Sequence, residues 1–178
     1  MIWESQYWKE PLLLLADKLN QLKTPQTWDE EDFVDIEKDI FIAFYSIRKL
    51  IDAKKLSDTT SEMLVSVSLY HNKGKNVTLL NWHKLEDLYD FTSKKADKRY
   101  LRFICNQVIH SYVFAPNINK KGIMKSILFC SDHERNNALL EVDRTEMIKV
   151  FRIVGNDYPS SSTFIFNQDK RDYDVTNL

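Results

Sequence analysis

The sequence contains little glycine, proline or cysteine, and each shortage excludes a class of protein. Only three glycines and four prolines occur among 178 residues, which argues against low-complexity segments and long linkers. The two cysteines, Cys105 and Cys130, are too few for a disulfide-stapled secreted fold or a four-ligand zinc site. The sequence therefore predicts free thiols in a reducing, cytoplasmic compartment.

The charge balance and the short apolar runs exclude two further classes. The chain carries 25 basic and 26 acidic residues, a net charge of -1, so no overall field attracts nucleic acid or an anionic bilayer. Such a partner requires a local patch of charge. Apolar runs stay short, as in the stretch from Leu12 to Ala16, and no basic and apolar leader opens the sequence. We therefore expect no membrane span, no signal peptide and no membrane partner.

Cofactor motifs are missing, and the one cluster of acidic residues with histidine does not have the pattern of a metal site. Asp132, His133 and Glu134 are adjacent, so their side chains point in different directions, whereas a metal needs converging ligands. The cluster is typical of a solvated turn. We expect no metal and no small-molecule cofactor.

Two amphipathic helices are predicted in the first third of the chain. Leucines three and four residues apart indicate a helix from about Tyr7 to Leu22. Thr27 and Glu30 then form a capping-box pattern, and apolar residues recur every three or four positions to about Lys55, which predicts a long central helix. Cations near its end are interpreted as complementing the helix dipole: Arg48, Lys49, Lys54 and Lys55.

Strand and helix signals are mixed in the middle of the chain. Residues 65–69 alternate apolar and polar side chains, as a short strand does, and residues 77–80 are expected to pair back with them. A short helix should follow. Thr92 or Ser93 then caps a further helix, which Pro116 ends.

The last third of the sequence predicts a β-hairpin followed by a helix. Two apolar runs, 123–130 and 138–142, flank a polar loop and predict a β-hairpin. A second capping box at residues 143–146 predicts a helix that stops at Gly155.

The fold class that these elements predict is α+β within a single domain, residues 1–178. We expect a mainly helical bundle of about five helices over about residues 5–115. A β-hairpin or small antiparallel sheet, with one helix, should be appended over about 122–167. Residues 163–166 are a candidate further strand, and the charged tail from Asn167 is expected to be loose.

The segment from Leu101 to Phe114 sets several polar groups into an otherwise apolar helix. Arg102, Asn106 and His110 are spaced by four residues, so they share one helix face. Two interpretations stay open. The polar groups can fix a helix register or a dimer interface, or His110 can act as a general base.

The spacing of Asn106 and His110, followed by Ser-Tyr, resembles the signature helix of HEPN domains. The resemblance covers about residues 5–115 and implies a bundle of four to five helices. It also implies a metal-independent RNase whose arginine, adjacent polar residue and histidine line the cleft of a symmetric dimer. Cys105 occupies the family's arginine position in this chain, and Arg102 is eight residues before His110, roughly 12 Å along a helix.

The preferred functional prediction is a small intracellular, bacterial, non-catalytic macromolecule-binding protein of HEPN-like type, in immunity, antitoxin or other defence. Asn106, His110 and Tyr112 would form its binding or dimer surface, and its partner would be a protein or a second copy, with RNA also possible. One alternative is a dimeric endoribonuclease with His110, Asn106 and Arg102 as catalytic residues. The other is a structural subunit without an active surface.

Overall fold

Helices and strands alternate along the chain. The structure is a computed structural model that describes residues 2–23 and 27–178. The helices of this part are α1 (Gln6–Gln21), α2 (Glu30–Asp52), α3 (Asp58–Ser61), α4 (Leu85–Leu88), α5 (Leu101–Ile109) and α6 (Arg144–Asn156). The strands are β1 (Leu64–His71), β2 (Lys95–Tyr100), β3 (Ser111–Ile118), β4 (Met124–Ser131), β5 (Ala138–Asp143), β6 (Ser162–Asn167) and β7 (Asp172–Asn177).

Five of the strands form one antiparallel sheet, in the order β2-β1-β5-β4-β3. Leu140 and Val142 of β5 belong to the main core, together with buried residues of α1, α2, α5 and α6. Leu139 belongs to a smaller core with Tyr70 and Tyr89. Because side chains alternate between the faces of a strand, the helices cover one face of the sheet and the segment from 72 to 94 covers part of the other. Strands β6 and β7 form a separate hairpin.

The prediction of a mainly helical bundle over about residues 5–115 with a small appended sheet is wrong. The five-stranded sheet is a major layer of the fold, and segments 95–100 and 111–114, assigned to helix from the sequence, lie in β2 and β3. Helix α5 is therefore only nine residues long. Tyr112, Val113 and Phe114 favour a strand where a pairing partner exists, and Pro116 is tolerated because β3 is an edge strand.

Pairing along the sheet also differs from the predicted hairpin of residues 65–69 with 77–80. Strand β1 is present, but it pairs with β2 on one side and with β5 on the other. Residues 77–80 contain no strand. The predicted hairpin of 123–130 and 138–142 is confirmed as the pair β4 and β5. An apolar strand inside a sheet needs two partners, and they can come from distant parts of the sequence.

Helix and tail boundaries differ from the predictions at three places. The cap of α2 is Asp29, in a reciprocal capping box with Asp32, so the helix begins after the predicted Thr27 cap. Gly155 lies inside α6, where a Cβ atom would stand 2.5 Å from Leu13 Cδ2, so the close contact with α1 explains this glycine. The tail after Asn167 is not loose, because it forms β7.

The membrane prediction concerns helix length and composition. Within residues 2–23 and 27–178, no helix is long and apolar enough to cross a bilayer.

Candidate functional site

Two of the predicted site residues lie together between α2 and α5. Arg48 Nε donates a hydrogen bond of 2.9 Å to Asn106 Oδ1. Arg102 Nη1 lies 3.1 Å from Asp52 Oδ1, and Arg48 also forms an ion pair with Asp52. The polar stripe of α5 thus finds its partners on α2, which gives a polar seam of Arg48, Asp52, Arg102 and Asn106.

His110 and Tyr112 do not join this seam. His110 is the exposed C-cap of α5, and its side chain has no hydrogen bond or ion pair with Arg102 or Asn106 in the described part of the chain. Its carbonyl accepts a hydrogen bond of 3.3 Å from the Asp132 amide. Tyr112 lies in β3, where the Arg135 guanidinium stands 4.0 Å from the centre of its ring. The predicted catalytic triplet is therefore not assembled within one chain.

Two further polar residues of α5 are buried in the protein interior. Cys105 is buried, and burial raises the pKa of its thiol far above the ordinary value, so the thiol remains protonated. Gln107 is also buried, and its Oε1 accepts a hydrogen bond of 3.0 Å from the Ser131 amide. These residues attach α5 to the sheet.

The polar seam borders a cleft. Asp52, a member of the seam, also lines a cleft of about 870 Å³ between the C-terminal end of α2 and the hairpin of β6 and β7. His110 is not among the residues that line this cleft. Its lining includes three lysines and three aromatic side chains: Lys49, Lys54, Lys55, Tyr158, Phe164 and Tyr173.

Hairpin β6/β7 turns an aromatic face toward this cleft. Phe164 pairs with Val175 and Phe166 with Tyr173, so these four side chains share one face. Phe164, Phe166 and Tyr173 are 62%, 54% and 56% exposed. The Tyr173 ring stands edge-on to both phenylalanines, at centre distances of 6.4 and 5.3 Å. An exposed aromatic patch beside a cleft is a candidate binding surface.

The hairpin is fixed to the end of α2 by Asn177, which is buried. Asn177 Nδ2 donates to the carbonyls of Lys54, at 3.0 Å, and Leu56, at 2.9 Å. The Leu178 amide also donates to the Ser161 carbonyl at 3.1 Å. These bonds hold the aromatic face and the lysines in a defined relative position.

Lys54 has an uncommon backbone conformation. Its φ is 55°, in the left-handed region that a residue after a helix enters most easily when it is glycine. A lysine there costs about 1 kcal/mol relative to glycine. The side chain is exposed and lines the cleft, so a charged residue occupies a place where stability alone favours glycine.

Tyr158 has a cation against one side of its ring. Lys9 Nζ lies 4.0 Å from the ring centre, while the tyrosine remains 56% exposed. The contact orients the ring at the edge of the cleft. Tyr158 is thus both partly exposed and part of the cleft lining.

Glu141 is the centre of a second cluster of polar groups, on the sheet face away from the main helices. Its carboxylate accepts from Tyr70 Oη at 2.6 Å, Lys94 Nζ at 2.9 Å, Ser126 Oγ at 2.5 Å and Asn117 Nδ2 at 3.2 Å. Glu141 itself is 6% exposed. Both carboxylate oxygens are occupied by partners from four segments, so the cluster is a closed network that binds strands together.

The ionisation of this network follows from its hydrogen bonds. Burial acts to raise the pKa of Glu141, but the bonds from Ser126, Tyr70 and Lys94 outweigh it and lower the pKa. Burial and the bond to Glu141 raise the pKa of Tyr70 to about 12. The carboxylate is therefore ionised and the phenol neutral at physiological pH.

Sequence patterns contain little signal for the cleft. The helix dipole is sufficient to explain the lysines near the end of α2, so their positions in the sequence do not indicate a binding site. The run Phe164, Ile165 and Phe166 indicates a strand. It does not indicate which face of that strand packs against the rest of the protein. Only the packing of the hairpin beside α2 brings the two groups together.

Neither metal ligands nor similarity to known proteins assigns a function to the described part of the chain. In the described ranges, no group of three or more histidine, cysteine, aspartate or glutamate side chains could hold a metal ion. No family model, curated protein or solved structure matches the chain. The HEPN resemblance stays a prediction.

Proposed function

We propose that this chain is a non-catalytic macromolecule-binding protein whose cleft binds single-stranded nucleic acid. The observation that carries the proposal is the exposed aromatic face of the β6/β7 hairpin, opposite the lysines that follow α2. Grooves for single strands combine these two features, because cations follow the phosphates and aromatic rings stack on the bases.

The charge of the cleft supports an anionic ligand even though the whole chain is nearly neutral. Three lysines line it, at positions 49, 54 and 55. Its two acidic residues are Asp52 and Asp172, and Arg48 and Arg102 both pair with Asp52. The local balance is thus positive, and it supplies the patch of charge that a nucleic-acid partner requires.

The aromatic side chains favour nucleic acid over an acidic polypeptide. Phe164, Tyr173 and Tyr158 each present an exposed ring, and every base has a flat face that can stack on one. An acidic peptide would use the lysines but would leave these rings without a matching group. The polar seam then serves to hold α2 in place below the cleft.

Fluorescence anisotropy with a labelled uridine oligonucleotide tests the proposal. We expect Phe164→Ala and Tyr173→Ala each to weaken binding roughly 5-fold or more, because stacking on one base is worth about 1–3 kcal/mol. Lys49→Gln and Lys55→Gln should each lower the slope of log K against log salt by roughly 0.7.

Matched variants away from the cleft control this experiment. Tyr100 on β2 is 61% exposed, similar to Phe164, and Tyr100→Ala should bind as the wild type does. Lys125→Gln is the corresponding control for charge. No binding at about 50 mM salt, or equal losses in the controls, would contradict the proposal. Full competition by polyglutamate, with no effect of Phe164→Ala, would assign the cleft to acidic polypeptides instead.

The endoribonuclease alternative stays a prediction and can be tested with the same RNA. Arg102 and Asn106 are engaged by Asp52 and Arg48, and within the described ranges no side-chain hydrogen bond or ion pair joins His110 to either of them. Incubation in EDTA, beside His110→Ala, provides the measurement. Cleavage that disappears in the variant would establish catalysis and overturn the non-catalytic part of the proposal.

Lys54 offers a test in which stability and binding should change in opposite directions. Lys54→Gly removes the backbone strain, so we expect the free energy of unfolding to rise by about 1 kcal/mol. The same change removes a cation from the cleft and should weaken oligonucleotide binding. Urea unfolding and anisotropy measure the two effects.

Lys54→Ala separates charge from strain. It removes the cation but keeps a Cβ atom at the same positive φ, so binding should weaken as in the glycine variant without the gain in stability. If Lys54→Gly binds the oligonucleotide as tightly as the wild type, Lys54 has no part in the cleft's function.

A further inference from the structure

We propose that two copies of this chain associate through β6, whose free edge pairs antiparallel with β6 of the second copy. The association uses the edge of the hairpin and leaves its aromatic face to the cleft. Within the described part of the chain, the strand edges differ in whether they can accept such a partner.

Three of the four strand edges carry features that prevent pairing with another chain. Edge strand β2 contains Lys95, Lys98 and Arg99. Edge strand β3 contains Pro116 and two irregularities of register. The third protected edge is that of β7, which carries Asp172 and Asp174. Charges, proline and bulges are the usual means by which proteins block such edges.

Strand β6 has none of these protections. Its sequence, Ser-Thr-Phe-Ile-Phe-Asn, contains no charge, proline or glycine and is rich in β-branched and aromatic residues. Residues 162 to 166 are all exposed, and the backbone bonds described for residues 163 to 167 run only to β7. An uncharged and unpaired edge of this kind is a template for another strand.

A second β6 fits this edge better than an arbitrary strand does. Across a two-fold axis each residue meets a residue of the same strand, so an uncharged strand meets no like charge. With the axis at Ile165, that residue faces its own copy, and Phe164 faces Phe166 of the second copy. Phe164 and Phe166 lie on the same hairpin face, so this register places apolar side chains together on both faces.

The arrangement also has a consequence for the cleft. A two-fold axis perpendicular to the joined sheet keeps the aromatic faces of both hairpins on the same side. Two clefts would then open in one direction, and one strand of nucleic acid could contact both. The interface is small, so we expect association in the micromolar range and not the nanomolar range.

Cysteine cross-linking tests the proposal and its register. Ile165→Cys places two thiols opposite each other, at a Cα separation of about 4.5–5.5 Å that a disulfide can span. With oxidised glutathione as the two-electron oxidant, we expect most of this variant to run as a covalent dimer on a non-reducing gel. The native cysteines, Cys105 and Cys130, are buried and should not react.

Thr176→Cys is the matched control, because Thr176 is exposed on the same hairpin but belongs to β7. It should cross-link at least 5-fold less. A second measurement is sedimentation velocity at about 100 µM protein, where Ile165→Lys should be monomeric and the wild type should not. A monomeric wild type, or equal cross-linking of the two cysteine variants, would overturn the proposal.

Discussion

Glu141→Gln is expected to lower the free energy of unfolding by about 3 kcal/mol, although the change keeps the size of the side chain. The carboxylate accepts four hydrogen bonds, from Tyr70, Lys94, Asn117 and Ser126. The amide nitrogen of glutamine is a donor and would face other donors. Lys94 would also lose its ion-pair partner. Urea unfolding followed by circular dichroism measures the loss.

The stabilisation that Glu141 provides should decrease as the pH falls. Its pKa is lowered in the folded protein, so the folded state binds the proton less readily than the unfolded chain does. The stabilisation is therefore complete above the unfolded pKa of about 4.3 and is lost as the pH falls through the folded pKa. The wild type and the glutamine variant should become closer in stability below about pH 4.

Glu62→Gln is a suitable control, because Glu62 is exposed and forms no comparable network in the described part of the chain. This variant should stay within about 0.5 kcal/mol of the wild type. If Glu141→Gln unfolds at the same urea concentration as this control, the network around Glu141 does not stabilise the sheet.

Lys9→Met is the second change with a large expected effect, about 2–4 kcal/mol of destabilisation. Lys9 is 0% exposed, and its ammonium group donates to the Lys55 carbonyl at 3.0 Å and to the Asp157 carbonyl. Both carbonyls belong to residues just beyond helix ends, because Lys55 follows α2 and Asp157 is the C-cap of α6. Methionine fills the space of the stem but leaves both acceptors unsatisfied.

The ionisation of Lys9 reflects its surroundings. Burial lowers the pKa of Lys9, and the nearby Asp157 carboxylate offsets part of this effect. Its ammonium group contacts two carbonyl groups and the Tyr158 ring. Lys9 therefore also stabilises the edge of the proposed nucleic-acid cleft.

Lys18→Met on the same helix controls for the loss of a lysine. Lys18 pairs with Asp39 at 2.7 Å, but its side chain is 47% exposed, and exposed pairs contribute little. Thermal unfolding should separate the two variants by several degrees. Equal melting temperatures would show that the buried contacts of Lys9 do not stabilise the junction of α1, α2 and α6.

Local sequence signals were sufficient where neighbouring residues decide the structure. The central helix was predicted because its apolar residues repeat with helical spacing, and it runs from Glu30 to Asp52. The hairpin of β4 and β5 was predicted because its strands are adjacent and joined by a polar loop. In both cases the partners lie in the same element or in neighbouring elements of the chain.

The prediction was wrong where distant partners decide between helix and strand. Residues 95–100 become β2 because they pair with β1, about thirty residues earlier in the chain. The segment after Ile109 continues an apolar pattern that suits either a helix or a strand, and pairing with β4 selects the strand. Of the predicted site, only Arg102 and Asn106 were brought together, since α5 ends before His110.

The amino-acid sequence by itself determined the near-neutral charge, the free thiols, the main amphipathic helices and the polar stripe on α5, because these depend on composition and short spacings. Only the tertiary structure decided the order of the sheet and the partners of that stripe. It also brought Glu141 to Tyr70, 71 residues away, and the aromatic hairpin to the lysines after α2. Such contacts arise from the burial of apolar faces across the whole chain, which no local pattern records.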